Sequence, residues 1–217
     1  MKKLLLLLSV CAFISCKNEN QNVNADTSAT EKNAEVDTEF NEGDFDGEEL
    51  LAFNPEKTDL KWTAYKTPEK VAVHGSFDNI EVRDTKESQT PEDVLAGASF
   101  DITTSSMTTG DVSRDAKILS LFFNNMDGAN IIGTFGEFND GIVPIKIVMN
   151  GVETEKNFQY TFENKKIIIT GVIDVLEDFK ANKSFDLLHE ACAELHLNKT
   201  WTDVSIEIIS DLEKPKA

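Results

Sequence analysis

His189, Cys192 and His196 are the residues whose types and spacing come nearest to a metal site. Steps of three and four place all three on one face of a helix. A thiolate and two imidazoles there would suit Zn²⁺ or another transition metal. Cys192 also falls on an apolar stripe with Phe185, Leu188 and Leu195, and no fourth ligand lies nearby in the chain. The expectation is therefore a buried cysteine flanked by rim histidines, with no metal and no cofactor. The spacing is not His-Glu-x-x-His, which excludes a metalloprotease helix. Ser113, Arg114, Asp115 and Lys117 form a second polar cluster. Its plain reading is a loop brace, in which Arg114 pairs with a carboxylate and Asp115 caps a short helical turn leading to Ile118 and Leu119. Its sharper reading sets Arg114 at a cavity mouth, as a bidentate partner for a phosphate or carbonyl. The chain carries no Gly-x-Ser-x-Gly, no phosphate loop and no glycine-rich dinucleotide turn. No catalytic residue is assigned, and no enzyme is expected.

Bulk properties narrow the partners. The 217 residues are 40% hydrophobic, enough for one sizeable core, and the formal charge is −18. The only arginines are Arg83 and Arg114. Such a surface repels phosphate backbones, so nucleic acid is excluded as a partner. It also disfavours electrostatic docking on anionic membranes. Membrane attachment would have to come from elsewhere.

The N-terminal segment supplies that attachment. Met1-Lys2-Lys3 precedes an apolar run from Leu4 to Ile14. About 11 residues are too few for a bilayer core of ~30 Å, which takes ~20 in a helix. The run fits the apolar region of a signal peptide at residues 1–15. It ends at Phe13-Ile14-Ser15-Cys16, which resembles a bacterial lipobox, so Cys16 is the expected acylation site and new N-terminus. Two or more acyl chains there would anchor stably. Lys17 is not the aspartate that retains lipoproteins at an inner membrane, so the expected location is the outer membrane of a cell envelope. Residues 16–54 are rich in Asn, Asp and Glu and poor in apolar side chains. That composition predicts a disordered acidic tether, extended by like-charge repulsion, with Phe40, Phe45, Leu50, Leu51 and Phe53 packing where it meets the domain. Cys192 is left as the one cysteine of residues 55–217, so the domain is held by burial and not by a disulfide.

From Pro55 onward a period of two takes over. Leu60–Lys66, Val71–Phe77, Ala98–Thr103, Asn130–Phe138, Ile142–Met149, Phe158–Phe162, Lys166–Val175 and Val204–Ile209 each alternate apolar and polar residues. Asn139-Asp140-Gly141, Asn150-Gly151 and Glu163-Asn164-Lys165 separate them with hairpin-turn residues. This predicts an all-β, antiparallel, eight-stranded lipocalin-like barrel, since an up-and-down meander must close to remove its edges. One or two short helices are expected, at Thr90–Leu95 and Ala181–Leu197.

The strands also carry a resemblance. Gly75-Ser76-Phe77, Gly97-Ala98-Ser99-Phe100-Asp101-Ile102, Ser105–Asp111, Ser113–Leu119, Phe122-Phe123, Ile132-Gly133-Thr134, Met149–Val152 and Gly171–Asp174 follow one another in the order and spacing of the YceI-like family. The resemblance runs from about Leu60 to Ile209. It implies an extended eight-stranded barrel with a hydrophobic cavity for polyisoprenoid or similar chains. The chain departs from the simpler family pattern in its lipoprotein front end and in the helical segment Ala181–Leu197 before the last strand.

Alternation alone selects inward side chains: Phe77, Phe100, Ile102, Phe135, Val143, Ile145, Ile147, Met149, Phe158, Tyr160, Phe162, Ile206 and Ile208. Phe77, Phe100, Ile102, Phe135, Ile145, Ile147, Met149, Phe158 and Tyr160, with Arg114 at the mouth, are the expected ligand contacts. Fourteen Phe against two Trp and two Tyr suit a ligand with few polar groups. The expected function is an envelope lipoprotein that holds a long apolar lipid (polyisoprenoid, quinone or acyl chain) for storage or transfer. The alternative is an adhesion or scaffold domain with a solid barrel core. Oligomeric state is not legible.

Overall fold

A computed structural model describes residues 49–215. The signal segment, Cys16, most of the acidic tether, Phe40 and Phe45 lie outside the described residues. Ten strands form one antiparallel sheet: β1 (Ala52–Lys66), β2 (Val71–Phe77), β3 (Ile80–Arg83), β4 (Ser99–Thr103), β5 (Met107–Thr108), β6 (Asn130–Phe135), β7 (Ile142–Met149), β8 (Val152–Glu163), β9 (Lys166–Asp174) and β10 (Thr200–Glu213). Their order is β3-β4-β6-β7-β8-β9-β10-β1-β2-β5.

The count of ten corrects the expected eight, and the reason lies at one seam. Only Asp78 and Asn79 separate β2 from β3, and only the 3-10 turn Thr104–Ser106 separates β4 from β5. β3 pairs with β4 while β2 pairs with β5. The two bent ribbons therefore face each other along their length, each broken at the same level. Across the break, Asp78 N–H donates to Ser106 O at 3.1 Å and Thr103 N–H to Asn79 O at 3.1 Å. The edge strands β3 and β5 thus belong to ribbons that pair with each other, and the sheet curls round a common interior.

Period two builds the walls. In β7, Val143, Ile145, Ile147 and Met149 are buried while the residues between them are not. β9 does the same with Ile167, Ile169 and Ile173. Asn150 and Gly151 both have positive φ (54° and 69°), as a tight two-residue hairpin between β7 and β8 requires. Leu51 is fully buried, and Leu51 and Ser88 exchange backbone bonds of 2.8 and 3.1 Å. The last residues of the stretch read from composition as tether therefore pack on the sheet.

Three α-helices interrupt the strands: α1 (Pro91–Leu95), α2 (Val112–Leu121) and α3 (Asn182–Cys192). α1 has Pro at its start and lies at the end of the sheet where β1 begins. α2 and α3 lie at the other end. α2 exceeds the single turn expected, and its cap is Asp111, not Asp115. The Asp111 carboxylate accepts from the N–H groups of Ser113 and Arg114, both at 3.0 Å.

Candidate functional site

The sheet interior holds two apolar chambers. The first, of ≈ 100 Å³, lies toward the α1 end. The expected contacts Phe77, Phe100, Ile102, Phe135, Ile145, Ile147, Met149 and Phe158 line it, with Ile206 and Ile208 from β10. No charged side chain does. Its hydroxyls, Thr58 and Ser210, sit 2.8 Å apart; Thr58 donates to the Asn54 carbonyl at 2.8 Å and accepts from Ser210. Val143 is buried in the same core cluster, and Phe162 packs against it. Tyr160 shares the inward face of β8 with Phe158, but it lies past this chamber. Its ring packs edge-to-face on Phe138 at 5.0 Å. Burial, then the nearby Glu92 carboxylate, pushes its phenol above the ordinary range.

Leu60, Ile80, Val82, Ile131 and Ile173 also line the first chamber, beyond the contacts expected from alternation. Leu60 and Ile173 were recoverable, because each continues an alternation already evident in its strand. Ile80 and Val82 sit on a four-residue strand between polar bends, too short for a period to register.

Three glycines shape the walls. A Cβ at Gly75 would lie 2.1 Å from the Trp62 indole, one at Gly133 2.3 Å from the Phe100 ring, and one at Gly171 2.3 Å from the Phe158 ring. Trp62 is the cross-strand partner of Gly75, and Phe100 of Gly133. Each glycine thus lets an aromatic ring lie against the neighbouring strand, a pairing known to rescue glycine in sheets.

The second chamber, of ≈ 150 Å³, continues from the first and shares Phe77, Ile131, Met149, Ile173 and Ile206 with it. Its far wall is helical: Ile118 and Phe122 from α2 and its C-cap, Phe123 just beyond, and Phe185 and Leu188 from α3. The α3 residues show the three- and four-residue steps of an amphipathic helix. Phe77, Phe123 and Phe122 form a chain of edge-to-face rings at 5.9 and 5.3 Å.

Of the polar residues expected at the mouth, Arg114 is exposed on α2, with Nη2 3.7 Å from Asp111 Oδ2. Asp115 braces the β5–α2 joint. It accepts from Thr109 N at 2.8 Å, Thr109 Oγ1 at 2.5 Å and Thr108 Oγ1 at 3.2 Å. The Thr109 hydroxyl, acting against burial, holds its carboxyl below the usual range. His189 and His196 both direct Nδ1 to the Thr200 hydroxyl at 3.0 Å. A hydroxyl has one proton, so at most one imidazole accepts from Thr200 and at least one donates to it. Cys192 is buried and free. Among the described residues no cluster of His, Cys, Asp and Glu is arranged to hold a metal ion.

No family model matches the chain, and no curated protein matches it in sequence. Solved structures do match in shape. A polyisoprenoid binding domain from Saccharophagus degradans implicated in plant cell wall breakdown superposes with a TM-score of 0.53 at 16% identity, covering 76% of this chain and 98% of that one. BcnA of Burkholderia cenocepacia superposes with a TM-score of 0.51 at 13% identity, covering 75% of this chain and 99% of that one. A Campylobacter jejuni YceI protein overlaps less, with a TM-score of 0.45 at 13% identity, covering 67% and 86%. The curled antiparallel sheet and its near-complete coverage of the first two structures give this chain the YceI-like fold.

Proposed function

We propose that this chain is a non-catalytic envelope lipoprotein, anchored through acylated Cys16, that binds an apolar lipid chain inside its curled sheet for storage or transfer. One observation carries the binding reading: two wall-sharing chambers run from the α1 end to the helices with no charged group along them. The described binding of polyisoprenoid by the Saccharophagus degradans domain supports it. An interior of this kind recognises a chain by burial alone. Each buried methylene contributes about 0.8 kcal/mol, and association costs several kcal/mol.

Volume limits the guest. An engineered apolar cavity of ~150 Å³ admits one benzene. Chambers of ≈ 100 and ≈ 150 Å³ therefore take roughly ten chain carbons between them. Typical ligand pockets hold about 300–1,000 Å³, so a longer polyisoprenoid requires α2 and α3 to move outward. The same small volumes favour the second reading, an adhesion or scaffold domain with an essentially solid core.

Organic extraction and native mass spectrometry of protein purified in mild detergent separate the two. Lipid binding predicts co-purified chains and saturable uptake of added ones. Empty protein that takes up nothing favours the scaffold. Radiolabelled palmitate incorporated by the wild type and lost in Cys16→Ala tests the anchor independently.

A further inference from the structure

Where the second chamber meets the exterior, between α2, α3 and the end of β1, lies a third cavity of ≈ 350 Å³. It shares Trp62, Ala64, Ile118, Leu188 and Thr200 with the second chamber, so the apolar interior and this mouth pocket have a common wall. Unlike the two chambers, it carries charge beside its apolar wall. Lys66, Arg114, Lys117 and His196 line it, and Asp111 is the sole acid in the lining. The whole chain has 39 Asp and Glu against 21 Lys and Arg. A pocket with that balance reversed stands out against its surroundings.

The cations there are not spent on each other's neighbours. Arg114 meets Asp111 only at 3.7 Å. Among the described residues neither Lys66 nor Lys117 has a carboxylate within ion-pair distance. The local positive field is felt by His196, whose imidazole is held below its ordinary range by burial first and then by Lys66, His189 and Lys117. A second observation points independently to a ligand. Trp62 is 8% exposed, lines both cavities, and its indole N–H is buried with no acceptor among the described residues. A buried donor without an acceptor is a standing cost that a ligand oxygen would remove.

Cations around a pocket that opens on an apolar bore are the complement of an amphiphile with an oxyanion at one end. The arginine fork fits a carboxylate or a phosphate equally. We infer that the mouth pocket receives the carboxylate or phosphate head of the lipid whose tail fills the interior. Arg114 and Lys117 from α2 and Lys66 from β1 are its charge partners, and Trp62 Nε1 is the neutral donor at the junction of head and tail. The inference rests on the lipid reading above. It adds that the guest is an anionic amphiphile and not a neutral hydrocarbon.

Calorimetric titration of the delipidated full chain with dodecanoate, its methyl ester and dodecyl phosphate tests it. The two anions bind at least tenfold tighter than the ester at low salt. In the double variant R114Q/K117Q, whose sites are not buried, that preference falls below twofold. Equal affinity for acid and ester in the wild type, or a preference the double variant retains, overturns the headgroup assignment while leaving the lipid reading standing. Failure of all three to bind overturns both. Inorganic phosphate alone gives no saturable heat where dodecyl phosphate saturates. Saturable binding of the free ion there would refute the claim that head and tail belong to one ligand.

Discussion

The two ends of the sheet are closed by different means. Where β1 begins, side chains stopper the interior. Leu51, Val94 and Ala98 are fully buried there and Leu95 nearly so. Backbone bonds lock the stopper in place: Lys86 N–H to Val94 O at 3.0 Å, Gly97 N–H to Phe135 O at 3.0 Å, and Phe135 N–H to Ala98 O at 2.9 Å. Where β1 ends, helices merely cover the interior. α2 has no fully buried residue, and α3 has only Ser184 and Cys192. The Ser184 hydroxyl is buried without a partner among the described residues. Segments that bury little open at low free-energy cost. A plug that is part of the core opens only when the core does. On the lipid reading proposed above, the contrast makes the α2–α3 end the entrance and the α1 end the floor, and the mouth pocket lies where a guest would arrive.

Matched truncations at the two ends give the largest expected effect. Leu95→Ala removes a side chain that is 2% exposed and should cost about 2–5 kcal/mol in urea unfolding. Leu188→Ala on half-buried α3 should cost about 1 kcal/mol or less, and it should speed lipid entry. Equal losses in the two variants would break the contrast.

The walls and the α3 helix were largely legible from sequence, and the mouth pocket was not. Val143, Ile145, Ile147 and Met149 announce themselves because their strand keeps one face in the core along its length. Gly75, Gly133 and Gly171 lie in stretches that carry the family resemblance, and the structure supplies their reason: an aromatic ring occupies the space of each missing Cβ. The sequence marks α2 only as a turn, because its apolar residues crowd toward its C-terminal half and none is fully buried. Alternation also ran past its usefulness at Tyr160, which is inward but beyond the chamber. The mouth pocket draws on β1, α2 and α3, and no local pattern ties Lys66 to Lys117 and His196. Arg114 stands out in the sequence by its chemistry, and its cationic neighbours emerge only in three dimensions.

A middle-sized effect sharpens the contrast from the helical side. Asp111→Ala leaves the N–H groups of Ser113 and Arg114 without their cap and should cost about 1 kcal/mol. Because α2 covers the entrance and is no part of the floor, hydrogen exchange should accelerate in α2 well before it does in β7 and β9. Uniform acceleration across the sheet would mean that cap and core open as one unit.

Acid gives the smallest effect and the most selective one. The Thr109 hydroxyl, aided by the Thr109 amide and the Thr108 hydroxyl, holds the Asp115 carboxyl below its ordinary value. A carboxyl with a native pKa below its unfolded one contributes stability in full above the usual Asp range. That contribution is lost as the pH falls through the native value. Acid should therefore loosen the β5–α2 joint, while the apolar stopper of Leu51, Val94, Leu95 and Ala98 offers nothing to protonate. Trp62 and Trp201, the chain's two tryptophans, both line the helix-covered chamber and report on that end alone. As the pH falls below about 4, their emission should shift while the far-UV signal of the sheet holds. Thr109→Val removes the hydroxyl donor, brings the Asp115 carboxyl back toward its ordinary value, and should shrink the acid-dependent part of that shift. Coincident loss of both signals in the wild type would show that the stopper and the cover are held by one cooperative unit, because an acid group confined to the entrance could not otherwise carry the floor with it.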